Sequence, residues 1–199
     1  MKEIFEIKDI NQIYEILDSA TYGTLALSKG VEPYSLPINF ARVNNIIYLH
    51  GSKSGRKIRY LDVNKNVSFS VVKEASLIPS FFSSTNNLAC KATQFFRSVI
   101  IDGVAEIVTE YNQKVVALSA LMEKLQKKRG YIELTNPIYK KAIDATNIIK
   151  ITPYQIRAKA KFGQNLDKKR FEMIIDNLEK RATPLDLETI KLMRRYYGV

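Results

Sequence analysis

The stretch Tyr48-Leu-His-Gly-Ser-Lys-Ser-Gly-Arg-Lys57 decides the fold, because it joins the end of a strand to the start of a helix through a short basic turn. It contains His50, the only histidine of the chain, followed by two glycines, two serines and three basic residues in seven positions. Backbone N–H groups in a tight turn at a helix start favour an anion, and phosphate is the usual one. The stretch therefore predicts a phosphate site, with a solvated surface turn as the alternative.

The spacing of this turn does not fit a P-loop. Gly51 and Gly55 are separated by three residues instead of four, and Arg56-Lys57 follows in place of Lys-Ser/Thr. A nucleoside triphosphatase is therefore not expected.

Upstream of the turn, the pattern predicts a helix over 9–19 and then a meander of three antiparallel strands. The strands are expected over 24–28, 34–41 and 46–50. Pro37 lies inside the second strand and cannot donate a ladder hydrogen bond, which predicts an edge or a bulge at that position.

Downstream, the pattern changes between strand and helix several times. Helices are predicted over about 54–63, 109–128 and 137–145 and from Asp167 and Thr183, and strands over 67–71, 95–107, 148–151 and 155–162. Gly103 is expected to mark a bend or a bulge. Residues 74–90 are interpreted as a loop, in which Phe81 and Phe82 cover the barrel end or a partner subunit.

About seven strands without regular strand–helix alternation predict a mainly β protein, an antiparallel β-barrel with flanking helices. We expect one domain over 1–162, extended by C-terminal helices over 163–199.

Composition bounds the function further. The chain has 199 residues, 46% of them hydrophobic, which is enough for a core. One cysteine and one histidine exclude a disulfide framework and a multi-histidine metal site. No apolar run fits a signal peptide or a membrane span, so we expect a cytoplasmic protein. The net charge of +11 suggests an anionic partner, such as nucleic acid or a phosphorylated small molecule, or a solvated basic surface.

The chemistry is not carried by a recognisable set of catalytic side chains. Cys90 is expected to be a passive thiol in a loop, and no nucleophile–base pair stands out. Arg97 and Ser98 lie inside an apolar strand, so Arg97 requires an anion from protein or ligand unless it faces solvent. If the protein is an enzyme, its chemistry belongs to a cofactor.

Six short motifs in a fixed order resemble the FMN-binding split-barrel proteins related to pyridoxamine 5′-phosphate oxidase, and most of all their nitroimidazole-resistance (Nim)-like members. The motifs are Tyr22-Gly-Thr-Leu-Ala-Leu27, Pro33-Tyr-Ser-Leu-Pro-Ile-Asn-Phe40, Ile47-Tyr-Leu-His50, Gly55-Arg-Lys57, Asn66-Val-Ser-Phe69 and Phe96-Arg-Ser-Val-Ile100. Each is weak alone, but the order over about 9–125 is specific.

The resemblance implies a split-barrel homodimer that binds FMN at the subunit interface. The phosphate would lie at the turn from Ser52 to Lys57 and the flavin ring along Pro37–Phe40, with Arg97 and Ser98 nearby and His50 as a candidate catalytic residue. The implied cofactor-binding residues are Pro37, Ile38, Asn39, Phe40, His50, Gly51, Ser52, Arg56, Lys57, Arg97, Ser98 and Val99. Rings at Tyr34, Phe40, Phe81, Phe82, Phe95 and Phe96 are candidates for an apolar slot.

The first hypothesis is thus an FMN-dependent oxidoreductase that reduces a small, nitroaromatic or quinone-like substrate. Because no histidine follows His50, the oxidase's own pyridoxal phosphate site is not recognisable. The alternatives are a flavin-binding regulator or DNA-binding protein, and a haem-binding split barrel. The segment Lys159-Ala-Lys-Phe-Gly-Gln-Asn165 is similar to a motif of FMN-binding relatives described as transcriptional regulators, or it simply ends the last strand.

Overall fold

A computed structural model of the chain describes residues 2–84, 88–128 and 130–198. Six strands form a closed antiparallel barrel in the order β1-β2-β3-β6-β5-β4. The strands are β1 (Tyr22–Lys29), β2 (Glu32–Val43), β3 (Ile46–Gly51), β4 (Asn66–Ile78), β5 (Thr93–Ile107) and β6 (Asn147–Lys161). The predicted antiparallel split barrel with flanking helices is confirmed.

Six α-helices accompany the barrel in the described parts of the chain. They are α1 (Ile10–Ser19), α2 (Arg56–Leu61), α3 (Tyr111–Leu125), α4 (Lys140–Ala145), α5 (Lys168–Arg181) and α6 (Pro184–Tyr197). Short 3-10 turns occur at Glu3–Phe5, Ser80–Phe82, Ala89–Lys91 and Pro137–Tyr139. Asp167 and Thr183 cap α5 and α6 as predicted.

Two of the strand predictions were wrong. The segments predicted over 148–151 and 155–162 form one strand, β6, which continues through Pro153 and ends at Lys161. Pairing with β3 ends at Ile151, so the missing N–H of Pro153 removes no bond on that side. The count of about seven strands therefore falls to six.

The predicted loop over 74–90 is partly strand. β4 continues to Ile78 and buries Ala75, Ser76 and Ile78. The loop prediction fails there because Ser76 is satisfied by two residues far along the chain. Its N–H donates to Thr189 Oγ1 at 3.0 Å and its hydroxyl to Asp186 at 2.5 Å. Asn86 and Asn87, which also indicated a loop, lie outside the described residues.

The chain divides into two compact units. One contains the chain up to Ile13, Val72–Ser98 and the chain from Ala158, and the other contains Tyr14–Val71 and Val99–Arg157. The second unit holds all of β1, β2 and β3, and in it Phe40 packs edge-on against Phe69 at 5.0 Å between ring centroids. The first unit has its own aromatic core, in which Phe162 lies 5.7 Å from Phe95 and stacks on Tyr196. The predicted division at residue 162 stays a prediction.

Gly103 explains how closely β5 and β6 approach in the second unit. A Cβ placed there would lie 2.6 Å from the carbonyl oxygen of Thr152 and 2.9 Å from Ile151 Cγ2. Glycine is therefore needed for a close backbone approach.

Candidate functional site

The predicted phosphate turn lies between β3 and α2, within the second unit. Gly51, the last residue of β3, pairs with Asn147 at the start of β6. The Asn147 side-chain amide donates to the Ser52 carbonyl at 3.4 Å, and the Ser54 N–H donates to Ser52 Oγ at 3.3 Å. The turn is thus held from both sides while Ser52, Lys53 and Ser54 stay exposed.

The helix that follows is shorter than predicted. α2 covers Arg56–Leu61 and not 54–63, because Gly55 adopts φ +117° immediately before it. Gly55 provides no capping side chain, so the first N–H groups of α2 receive no side-chain cap.

Lys57 places its ammonium group directly beneath the end of β3. A Cβ on Gly51 would lie 2.2 Å from Lys57 Nζ, so only glycine leaves this space open. Burial lowers the pKa of Lys57 below its usual range. In the described parts of the chain, no carboxylate lies within ion-pair distance of Lys57 Nζ and no hydrogen bond is made to it. A partly buried charge without a partner is a favourable position for an anion.

Arg56 is engaged elsewhere. Its guanidinium donates to the Tyr60 hydroxyl at 2.9 Å and lies over the ring of Tyr34 at 4.4 Å. The Tyr60 hydroxyl in turn donates to Glu32 at 3.0 Å. These contacts raise the pKa of Arg56, mainly through the Tyr60 hydrogen bond. Arg56 therefore has protein partners, and its predicted role toward a phosphate stays a prediction.

A cavity of about 380 Å³ lies beside the turn. Lys53 and Ile58 line it on one side and Thr109, Lys114 and Asn147 on the other. Lys114 is buried and donates from Nζ to the Thr146 carbonyl at 3.0 Å. Sequence reasoning missed Lys114 and Asn147, because nothing local links them to a turn about 60 to 95 residues earlier.

The predicted ring-binding segment, Pro37–Phe40, lies in the part of β2 that pairs with β1. Residues 32–39 face β1, and pairing with β3 begins only at Phe40. Pro37 pairs with Thr24 of β1, and it precedes the residues of β2 that pair with β3, so its missing N–H removes no bond to β3. Ile38 is half-buried, and the Asn39 amide donates to the Thr21 carbonyl at 3.1 Å. On the side away from β1, residues Pro37–Asn39 precede the pairing with β3, which leaves backbone N–H and C=O groups for a ligand.

Burial removes three of the aromatic rings that were predicted to form an apolar slot. Phe40 and Phe95 are fully buried, and Phe82 is buried as well. Their rings belong to the protein core and offer no free face. Phe81 is 61% exposed and contacts Phe82 edge-on at 5.2 Å.

His50 is exposed on β3, where its backbone pairs with Ile148. Its imidazole makes no hydrogen bond with the residues that the structure describes. The ring is therefore accessible to a small molecule, and its catalytic role stays a prediction.

Arg97 follows the first of the two alternatives that the sequence left open, a buried arginine that requires an anion. It is buried on the same face of β5 as Phe95 and Val99, so the solvent-facing alternative is wrong. Its counter-ion is Glu188 of α6, at 3.7 Å, within the first unit. Ser98 is half-buried in that unit, whereas Val99 is fully buried and belongs to the second. The anion that Arg97 requires thus comes from the protein.

The described ranges contain neither a membrane-spanning helix nor a cluster of metal-binding side chains. No helix there is long and apolar enough to cross a bilayer. No group of three or more histidine, cysteine, aspartate or glutamate side chains is placed to hold a metal ion.

Comparison with solved structures supports the fold. A candidate 5-nitroimidazole antibiotic resistance protein from Bacteroides thetaiotaomicron superposes with a TM-score of 0.63 at 22% identity, covering 77% of this chain and 85% of that one. The flavocytochrome Anf3 from Azotobacter vinelandii gives 0.62 at 22% identity, covering 80% and 70%. An FAD and heme binding protein from Mycobacterium smegmatis gives 0.61 at 20% identity, covering 79% and 74%.

At these identities the structural likeness shows the fold alone. No curated protein sequence matches the chain. The family model described as pyridoxamine 5′-phosphate oxidase matches residues 9–160, more than half of the chain and nearly all of the barrel. The chain therefore belongs to the pyridoxamine 5′-phosphate oxidase family.

Proposed function

We propose that this protein binds FMN and uses it to reduce a small substrate, with the FMN phosphate held at the turn from Ser52 to Lys57. The observation that carries this proposal is the Lys57 ammonium, which is partly buried against Gly51 without an anionic partner in the described chain. A phosphate dianion there would compensate the desolvated charge through a charge-assisted hydrogen bond. Exposed hydroxyls of Ser52 and Ser54 add two further donors.

The rest of the flavin would lie against chain groups that already have free hydrogen-bonding capacity. The unpaired edge of β2 at Pro37–Asn39 offers backbone groups for the polar edge of the ring. The cavity between Lys53 and Asn147 adds two lysines and no acidic side chain among its described lining residues. We infer FMN in preference to FAD because the turn offers one ammonium group. This suits the single terminal phosphate of FMN better than the diphosphate of FAD.

The family match and the relatives support a flavin. Two similar structures are a flavocytochrome and an FAD and heme binding protein. The candidate 5-nitroimidazole resistance protein supports a nitroaromatic substrate class. For haem, the chain offers only one histidine, His50, as a ligand.

The bound flavin would supply two-electron chemistry, and the protein would supply position and protons. Lys57 and the two serines would fix the phosphate end, and the β2 edge would orient the ring. His50 offers an imidazole nitrogen, Nδ1 or Nε2, that can give a proton to a reduced substrate.

The proposal includes a homodimer with the flavin at the subunit interface. The exposed ring of Phe81 supports it, because a large apolar side chain 61% exposed is suited to a partner surface. Sedimentation equilibrium should give a dimer, and Phe81→Ser should shift the equilibrium toward monomer. A monomeric wild-type protein at micromolar concentration would contradict the dimer.

The function is tested by the absorption spectrum of the purified protein. We expect flavin absorption as isolated or after reconstitution with FMN, followed by nicotinamide-dependent bleaching and reoxidation by a nitroaromatic or quinone. His50→Gln should keep the flavin and lower the reoxidation rate by about 10²-fold or more. A colourless protein that FMN does not reconstitute would disprove the proposal, and a haem spectrum alone would replace it.

A further inference from the structure

A second basic cavity lies entirely within the first unit, formed by residues outside the predicted flavin site. Its volume is about 290 Å³. Three cationic side chains line it, Lys91, Lys161 and Arg170, and its described lining residues include no aspartate or glutamate. None of the three forms an ion pair within the described ranges.

The cations are held in place by neutral partners. Arg170 Nε donates to the Ser83 carbonyl at 3.3 Å, and Lys161 Nζ donates to the Thr93 hydroxyl. These bonds orient the two side chains without neutralising them. The cavity therefore combines at least three positive charges with room for a small anion.

The Lys159–Asn165 segment, which resembles a motif of FMN-binding relatives, forms one wall of the cavity. Gly163 adopts φ +86°, and the Leu166 N–H donates to its carbonyl at 2.9 Å. The Gln164 side chain folds back, accepting from the Phe162 N–H at 2.7 Å and donating to the Ala160 carbonyl at 2.9 Å. Gln164 thus closes the turn that follows β6, and Asn165 of this turn lines the cavity.

Phe95, which also lines the cavity, belongs to the aromatic core of the first unit. Phe95 is 1% exposed and packs against Phe162, which in turn stacks on Tyr196 at 5.3 Å. Cationic side chains beside the apolar side chains of Ala92 and Leu166 are typical of a site for a small organic anion.

We propose that this cavity binds a small phosphate-bearing metabolite, a phosphomonoester whose phosphate contacts Lys161, Arg170 and Lys91 and whose carbon skeleton lies against Leu166 and Ala92. The volume suits a compound of a few carbon atoms and is too small for a flavin. The segment Gly163–Asn165 then acts as the wall that fixes the position of Lys161.

Cys90 provides a reporter, because it is the only cysteine, is exposed and lines the cavity. The experiment measures its alkylation by neutral iodoacetamide in the purified protein, with and without added FMN. Glycerol 3-phosphate should slow alkylation at least 5-fold in a saturable way, whereas glycerol and sodium sulfate at equal ionic strength should not. Inorganic phosphate, tested alongside, shows whether the ester's carbon skeleton is needed for protection. Succinate, a dianion without phosphate, shows whether negative charge alone is sufficient.

Matched variants assign the effect to the cavity. Lys161→Met should abolish the protection, and Lys168→Met should retain it, because Lys168 is exposed, lies outside the cavity and pairs with Glu172. Equal melting temperatures of the two variants exclude unfolding as the cause. If Lys161→Met does not fold, Lys91→Met is the substitute, with loss of protection again expected.

Three results would overturn the proposal. The first is equal protection by sulfate or succinate. The second is protection by FMN alone, with none from glycerol 3-phosphate in FMN-loaded protein, because the cavity would then belong to a flavin site. The third is no protection by any anion. None of these outcomes depends on whether Lys57 binds the FMN phosphate, so the proposal for this cavity and the proposal for the flavin site are tested separately.

Discussion

Two glycines in the second unit meet different neighbours, and this difference predicts different effects of alanine. At Gly51 the added Cβ meets the flexible end of Lys57, whereas at Gly103 it meets the backbone carbonyl of Thr152. Gly51→Ala should displace the ammonium at little cost in stability and lower FMN affinity about 10-fold. Gly103→Ala should cost about 2 kcal/mol of unfolding free energy, because a backbone must move.

Urea unfolding and flavin titration of both variants measure these effects. A large stability loss in Gly51→Ala with unchanged FMN affinity would contradict the assigned role of Lys57.

Lys124 carries a perturbed charge that the sequence did not reveal. Its Nζ donates to the Leu17 carbonyl at 2.8 Å and lies 3.4 Å from the centroid of the Phe40 ring. Burial, aided by Arg42 and opposed by Asp18, lowers the pKa of Lys124 to about 8. Between that value and the usual value for lysine, the unfolded chain binds more protons than the folded chain, so stability rises with pH.

We therefore predict that wild-type stability increases from pH 7.5 to 9.5 relative to Lys124→Met, by about 1 kcal/mol after allowance for solvent screening. Urea unfolding of both proteins at the two pH values measures the difference, and the variant corrects for other titrating groups. An identical pH dependence in the two proteins would show that Lys124 keeps an ordinary pKa.

At the scale of elements, the connection between β4 and α6 centres on Asp186. This fully buried carboxylate accepts from the Ser76 hydroxyl and from the Arg181 guanidinium, both at 2.5 Å. It also completes the capping box of α6, accepting from the Thr183 N–H at 3.1 Å. The Arg181 hydrogen bond is the largest cause that holds the pKa of Asp186 far below its usual range.

Asp186→Asn should lower the unfolding free energy by about 3 kcal/mol, because it leaves Arg181 without its partner and weakens the cap. The stabilisation that ionised Asp186 provides is present above the unfolded-state pKa of about 4 and is lost progressively as the pH falls below it. The unfolding free energies of the two proteins should therefore converge in acid. Urea unfolding at pH 7, 4 and 3 tests this. Glu179→Gln is the control, since the exposed Glu179–Arg194 pair should contribute less than about 1 kcal/mol.

Elements governed by local signals could be predicted from the sequence, and elements governed by distant partners could not. Asp167 and Thr183 capped helices where expected, because a cap depends on residues only three positions away. The extension of β4 through Ser76 depends on Thr189 and Asp186, more than 100 residues later. The continuity of β6 through Pro153 depends on where β3 begins, which no local pattern contains.

At the scale of the whole molecule, the order of motifs was enough to identify the barrel and the family. The position of the turn from Gly51 to Lys57, between a strand and a helix, was also predictable, because it follows from glycines and serines close together. The counter-ion of Arg97 was not, since Glu188 lies in a helix some 90 residues away. Lys114 and Asn147 were missed for the same reason.

The central claim, that Lys57 binds the phosphate of FMN, is tested most directly by titrating the apoprotein with FMN and with riboflavin, which lacks the phosphate. We predict that Lys57→Met weakens FMN binding about 10- to 100-fold and leaves riboflavin binding unchanged, because only one charge-assisted contact is lost. Lys65→Met, at an exposed lysine that follows α2 and does not line the cavity beside the turn, should change either affinity less than about 3-fold. Equal FMN affinity in wild type and Lys57→Met, or equal loss for both flavins, would contradict the account.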